Sequence, residues 1–166
     1  MHSERGFTLM EMIAVVALIA TLSAIALPVL SESTNRNAVW TASEQIGGQI
    51  RQARLKAITR NQNFRVDFDC PQVGQYRVLA VQDDALIDDD PDRCNQSYEF
   101  DSGVFAMPTN VSFDADLPTL QVNGRGIYSV LDPGGVLPMT ITVQFSDTHS
   151  RSLTVSLTGQ ISFEDF

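Results

Sequence analysis

From Met12 to Leu30 the chain reads MIAVVALIATLSAIALPVL, nineteen consecutive residues without a charged side chain. A helix needs about 20 apolar residues to cross the hydrocarbon core of a bilayer, so this block constrains the fold more than any other. The rest of the chain has the composition of an ordinary soluble domain. At 166 residues, 43% of them hydrophobic, the whole fits one modest domain plus an accessory segment. An ordinary signal peptide runs from a basic stretch through an apolar core to a small-residue cleavage site. Here the only short leader, residues 1–6, precedes the apolar run, and no A-x-A-like site follows it. The apolar helix is therefore expected to stay in the mature protein.

Glu11 opens that run. A carboxylate inside a bilayer costs about 2.5–3.5 kcal/mol on insertion scales, so such a residue asks for a partner. The nearest candidate is the α-amine that a cut before Phe7 would create, one helical turn away in the same chain or on a neighbouring subunit. A charge unmet in one chain and met by the next is a reason to assemble. Taken alone, Glu11 fits equally well in a simple signal anchor, reaching the cytoplasmic interface cheaply.

The full string decides between the two. Gly6-Phe7-Thr8-Leu9-Met10-Glu11 resembles the type III signal of the type IV pilin superfamily, with Met10 where another aliphatic residue is usual. The resemblance implies that a prepilin peptidase cuts after Gly6 and methylates the Phe7 amine. It also implies that Glu11, fifth in the mature chain, serves subunit docking. Pro28 is similar to the family's proline near the end of the membrane helix, where a kink or local melting is usual. Residues 1–6 are then a cytoplasmic leader, 7–30 a single transmembrane helix in the inner membrane, and the remainder periplasmic.

After Leu30 the polar Ser31-Glu32-Ser33-Thr34-Asn35 carries helix-capping residues. Val39, Ile46, Ile50, Ala53 and Ala57 then recur at helical spacing, which predicts an amphipathic helix over 31–60. Gly47-Gly48 weakens its middle by about 1 kcal/mol per glycine, so a bend or close packing is expected in one long, interrupted helix from Phe7. From Asn61 the period becomes two. Phe64, Val66 and Phe68 alternate with charged residues. Shorter runs follow at Tyr76–Val81, Val111–Phe113, Leu120–Val122, Met139–Ser146, Leu153–Leu157 and Ile161–Phe163. The expected fold is α+β: a long N-terminal helix packed on an antiparallel β-sandwich head over 61–166.

Arg51-Gln52-Ala53-Arg54-Leu55-Lys56-Ala57-Ile58 looks like the "ARxxAI" helix of the GspH/FimT family, and Leu153–Ile161 is similar to its last hairpin. The middle, Cys70 to Leu120, has no such counterpart. The resemblance implies a minor pseudopilin or pilin, a structural subunit that helps initiate or cap a type II secretion pseudopilus or a type IV pilus. Its partners would be other minor and major pilins or pseudopilins, the prepilin peptidase and the inner membrane. The alternative is a DNA-binding minor pilin of the FimT type. Such members bind DNA through a Gly-Arg-x-Arg ending, and Gly159-Gln160-Ile161-Ser162 lacks both arginines.

Charge agrees. The net charge is −9, which repels phosphate. It is unevenly spread: Ser31–Arg65 carries six basic side chains against two acidic, and Val66–Leu120 twelve carboxylates against Arg77 and Arg93. Arg51, Arg54, Lys56 and Arg60 form a basic contact surface for lipid headgroups, neighbouring subunits or DNA. Arg51 and Arg54 share one helical face and Lys56 and Arg60 another, which favours subunit packing or plain solvation.

Enzyme chemistry is not written in the chain. His2 belongs to the leader and His149 to a polar Ser146–Ser152 turn, neither with metal-ligand spacing or a nucleophile. No cofactor is expected. Asp88, Asp90, Asp92 and Glu99 fall on the first, third, fifth and twelfth positions of an EF-hand loop, but Arg93 stands where that loop needs glycine and Pro91 stiffens it. A solvated acidic loop is expected there, with no metal. Beside it lie Cys70 and Cys94. In an oxidising compartment a disulfide is commoner than two thiols, and geometry decides between them.

Overall fold

The computed structural model describes residues 8–132, 135–146 and 148–165. The chain divides into two compact units, Met1–Arg36 and Asn37–Phe166. Helix α1, Leu9–Arg60, contributes to both. α1 is helical across both Pro28 and Gly47-Gly48, so it melts at neither. A proline deletes a single donor, and the turns on either side of Pro28 carry the helix on. From Met12 to Leu30 α1 carries no charged side chain, and none of its described side chains is buried. Its most apolar window has a mean hydropathy of 2.6 and no buried residue.

In the second unit α1 changes character. Val39, Ala42, Ile46, Ile50, Ala53 and Ala57 form a stripe at most 3% exposed, the spacing that puts one helical face into a core. Around it fold two antiparallel sheets. Strands β1 (Phe64–Phe68), β2 (Gln75–Ala80), β3 (Phe105–Ala106), β5 (Leu120–Val122) and β6 (Tyr128–Val130) form one, in the order β3-β2-β1-β5-β6. Strands β4 (Val111–Phe113), β7 (Met139–Phe145), β8 (His149–Val155) and β9 (Ile161–Asp165) form the other, in the order β4-β7-β8-β9. A single turn of helix, α2 (Ala85–Asp88), lies between β2 and β3.

The strands follow the alternation in the sequence. Phe64 and Val66 of β1, Leu120 and Val122 of β5, and Met139, Ile141 and Val143 of β7 are buried together with the helical stripe in one core. Side chains fix α1 to the sheets. The Tyr128 hydroxyl donates to the Ile50 carbonyl at 2.7 Å, and Arg54 Nε donates to the Gly126 carbonyl at 3.0 Å.

One expectation needs correcting. The polar Ser146–Ser152 turn is shorter than its composition suggests, because β8 already begins at His149, paired with Phe145. Arg151 and Ser152 are buried. Arg151 Nη1 donates to Ser43 Oγ at 3.0 Å and pairs with Glu44 Oε1 at 3.2 Å, while its guanidinium stacks 4.6 Å from the Phe163 ring centre. Aromatic and hydroxyl partners make an arginine a strand residue here.

The glycine pair also separates. A Cβ on Gly47 would stand 2.9 Å from Phe163 Cζ, whereas one on Gly48 meets nothing within 4 Å. Gly48→Ala is therefore expected to stabilise the protein by about 1 kcal/mol, the helix-interior difference between the two residues. Gly47→Ala forfeits that gain, because the Phe163 ring must move. Urea unfolding of the detergent-solubilised chain measures both, and equal stabilisation at the two positions would contradict the packing described.

Candidate functional site

Gly6 and Phe7 lie outside the described residues. Thr8 stands just before α1, where the Glu11 N–H donates to its carbonyl at 3.1 Å and to its Oγ1 at 3.3 Å. Thr8-x-x-Glu11 thus has the spacing of a capping box, with the threonine half formed. Glu11 occupies the first turn, where a carboxylate complements the helix dipole, and it is exposed. Thr8 and Glu11, the last part of the Gly6–Glu11 string, therefore also start the helix, a local role that the motif reading passed over.

In the second unit the acidic stretch departs from a solvated loop. The chain is organised around Arg93, whose side chain is 2% exposed. Arg93 Nη1 and Nη2 bond the two oxygens of Asp101 at 2.7 and 3.0 Å, Nη2 also donates to the Ala80 carbonyl at 3.1 Å, and the guanidinium lies 4.6 Å from the Tyr98 ring centre. The Asp101 side chain is fully buried and accepts as well from the N–H groups of Ala80 and Tyr98, each at 2.8 Å. Burial alone would raise the Asp101 carboxyl. The Arg93 guanidinium and the two N–H groups outweigh it and hold the group below its ordinary value. The residue that spoils the EF-hand pattern is thus the cation that the acidic segment folds around.

Two further ties hold the segment down. Cys70 and Cys94 are joined as a disulfide. Arg77 of β2 donates to the carbonyls of Cys94, Gln96 and Ser102 at 2.6, 2.7 and 3.0 Å. With the Ser102 hydroxyl on the Val78 N–H and Asp101 on the Ala80 N–H, the segment covers the β2 edge that the two-residue β3 leaves open. The carboxylates of Asp88 and Asp90 are spent on Gln82, Asp92 and Gln96, and Glu99 is exposed. Among the described residues, Asp67, Cys70 and Cys94 approach closely enough to suggest a metal. The disulfide leaves no thiolate there to ligate one.

The four basic residues on α1 do not act alike. Arg51 is exposed, its guanidinium 5.9 Å from the Phe163 ring centre. Arg54 holds Gly126, Lys56 is half-buried, and Arg60 stacks 3.7 Å over Phe100. Phe100 adopts φ 74, a conformation that bulky residues rarely take, and Arg60 covers it while the neighbouring Asp101 is pinned by Arg93. Two of the four thus brace the head. Arg77, Arg93, Asp101 and Arg151 were not legible as structural residues, because their partners lie elsewhere in the chain.

Residues 42–160 match the family described as type II transport protein GspH, and residues 1–27 match the prokaryotic N-terminal methylation motif. The chain is 30% identical over 165 residues to the pilin-like protein PilA1 of Thermus thermophilus, across 98% of this chain and 99% of that one. Among solved structures it is similar to the type IV minor pilin FimU of Pseudomonas aeruginosa, with a TM-score of 0.54 and 14% identity over 79% of this chain and 91% of that one. It is also similar to the minor pseudopilin EpsH from the type 2 secretion system of Vibrio cholerae, with a TM-score of 0.52 and 12% identity over 76% of this chain and 96% of that one. At these identities the two structures speak for the fold, a long helix on antiparallel sheets.

Asp101→Asn strands a buried guanidinium and is expected to cost about 3–5 kcal/mol at neutral pH. The folded carboxyl titrates below the ordinary 3.8, so its contribution is complete above that value and fades as pH falls through the folded value. Asp67, raised by burial, works in the opposite direction and is common to both proteins. The stability gap between wild type and Asp101→Asn should therefore narrow below about pH 4. A gap constant from pH 7 to pH 3 would contradict the pairing.

Proposed function

This chain belongs to the GspH family of minor pilins and pseudopilins, structural subunits rather than enzymes, and on that premise we propose that it helps initiate or cap a type II secretion pseudopilus or a type IV pilus. The observation that carries the proposal is the juxtaposition of one carboxylate with an unburied apolar helix. Glu11 sits on the first turn of α1, and Met12 to Leu30 follow without a charge, none of the described side chains among them buried. Minor pilins and pseudopilins assemble with other pilins, and this segment has the makings of a membrane anchor that is also an assembly surface. Residues 1–6 are the leader, 7–30 the inner-membrane helix, 31–60 its amphipathic continuation and 61–166 the periplasmic head.

The prepilin peptidase then cuts after Gly6 and methylates the Phe7 amine. Before cleavage the Phe7 nitrogen is a neutral amide and offers Glu11 no counter-charge. Afterwards the Phe7 amine of a neighbouring subunit offers one, in surroundings where the low dielectric makes pairing strong and an unpaired charge costly. Membrane insertion and head folding need none of this, so the charge pair acts at docking. The basic residues contribute less than their number suggests, since Arg54 and Arg60 are engaged within the head. The net charge of −9 disfavours DNA as the partner.

Mass spectrometry of membrane-extracted protein should find a chain starting at Phe7 and carrying one added methyl on its amine. A chain starting at Met1 in a cell with an active peptidase would sink the proposal. Glu11→Ala and Glu11→Gln should both yield inserted, processed protein that fails to crosslink to other pilins, except at a terminal tip position with no neighbour above it. The purified protein should also bind duplex DNA only weakly at physiological salt. Submicromolar binding that disappears in Arg51→Ala would make DNA the partner instead.

A further inference from the structure

We propose that Asp67 is the internal base through which the buried Cys70 thiol closes the Cys70–Cys94 disulfide, once a small organic disulfide of the glutathione class has capped Cys94. The proposal goes beyond the filament reading and does not depend on it. One Asp67 carboxylate oxygen and the two sulfurs all lie within 4.8 Å of one another, a span that one water bridges. The Asp67 side chain is 13% exposed, and Arg65 Nε stands 3.1 Å from its Oδ2. Its Oδ1 is buried and holds no hydrogen bond. A buried oxygen left unpaired is costly. A thiol S–H beside the carboxylate is a donor that only the reduced chain possesses.

The two cysteines are not equally open. Cys70 is 1% exposed, whereas Cys94 is half-buried and lines a cleft of ≈ 430 Å³ with Pro71, Asn95 and Ser97. That volume falls within the roughly 300–1,000 Å³ of small-molecule sites, so an oxidant meets Cys94 first. Contacts other than the S–S bond bring the two sulfurs together. Arg77 Nη1 holds the Cys94 and Gln96 carbonyls, Arg93 holds Asp101, and the Cys70 N–H donates to the Gln75 carbonyl at 3.1 Å. Three arginines surround Asp67. Arg65 lies on its own strand, Arg77 stands opposite it on β2, and Arg93 approaches from the acidic segment. Burial is the largest influence on the Asp67 carboxyl. It prevails over Arg65, Thr119 and Arg93 and lifts the group above its ordinary value, closer to the thiol it serves.

Closure takes two exchanges. In the first, the Cys94 thiolate attacks glutathione disulfide, forms a mixed disulfide and releases one glutathione. In the second, Asp67 takes the proton from the Cys70 S–H as that sulfur attacks Cys94 Sγ. The Cys70–Cys94 bond forms, the bond to glutathione breaks, and its electron pair leaves on the glutathione sulfur. That thiolate takes up a proton from solvent, and Asp67 returns its own to water. Two protein thiols are oxidised and one glutathione disulfide is reduced to two glutathiones. Cys94 ionises against solvent. Cys70 is enclosed, and a thiol in such surroundings ionises poorly without a base beside it.

The full chain is reduced in detergent, mixed with excess glutathione disulfide and quenched with acid at intervals. Mass spectrometry then follows the Cys94 adduct and its loss separately. Asp67→Asn should slow loss of the adduct about tenfold at pH 7. The gap should shrink to about threefold by about pH 9.5, above the ordinary thiol value of about 8.5, where the thiol ionises without help. In the wild type the rate should rise less than about tenfold from about pH 6 to pH 8, because an ionised carboxylate already accepts the proton. Unaided thiolate chemistry rises about a hundredfold over that interval. The wild-type profile decides alone if the variant does not fold. Equal rates in the two proteins, slowing by the same factor at both pH values, a tenfold or larger rise in the wild type, or a glutathione adduct on Cys70 in place of Cys94 would each overturn the assignment.

Discussion

One helix serves two solvents, and everything else in the structure depends on that. In its first part, from Met12 to Leu30, α1 has no charged side chain and buries none of its described residues, which is stable only against lipid or other helices. In its second part the apolar residues narrow to a stripe from Val39 to Ala57, and two sheets fold around it. The change is one of pattern rather than of secondary structure. Glu11 is the exception at the apolar end, and it is tolerable because it lies in the first turn, where the helix dipole favours negative charge.

The head solves a second problem, which is how to carry twelve carboxylates between Val66 and Leu120 without self-repulsion loosening the fold. It buries a cation. Arg93 and Asp101 meet both ends of their pair with additional hydrogen bonds, the condition under which a buried ion pair is tolerated. The same segment finishes the β2 edge, so charge neutralisation and edge protection come from one piece of chain. Asp83, Asp84, Asp88, Asp89, Asp90 and Asp92 lie on and around α2.

Much of this was legible before the structure. The apolar run, the stripe at helical spacing and the alternation of β1, β5 and β7 are periodic signals, and periodicity survives in a single sequence. The strands β3 and β6 were not legible: β3 has only two residues, and in β6 only Tyr128 is buried, so its burial does not alternate. Arg93 was read as a defect in a calcium loop, since spacing reports who stands where and not which carboxylate, eight residues away, turns to face it. Arg151 was hidden for the same reason: its partners Ser43, Glu44 and Phe163 come from α1 and β9. The glycine pair was half legible. Close packing was one of two expectations, and the Phe163 ring on Gly47 alone shows which glycine needs it.

The claim that α1 passes from lipid to a protein core is tested most directly by depth-dependent quenching. A fluorophore is attached through a single added cysteine at Leu18 or at Leu55 in the full chain, reconstituted in bilayers whose acyl chains carry a quencher. Leu18 should be strongly quenched and Leu55 scarcely at all. Equal quenching at the two positions, or none at Leu18, would contradict the account.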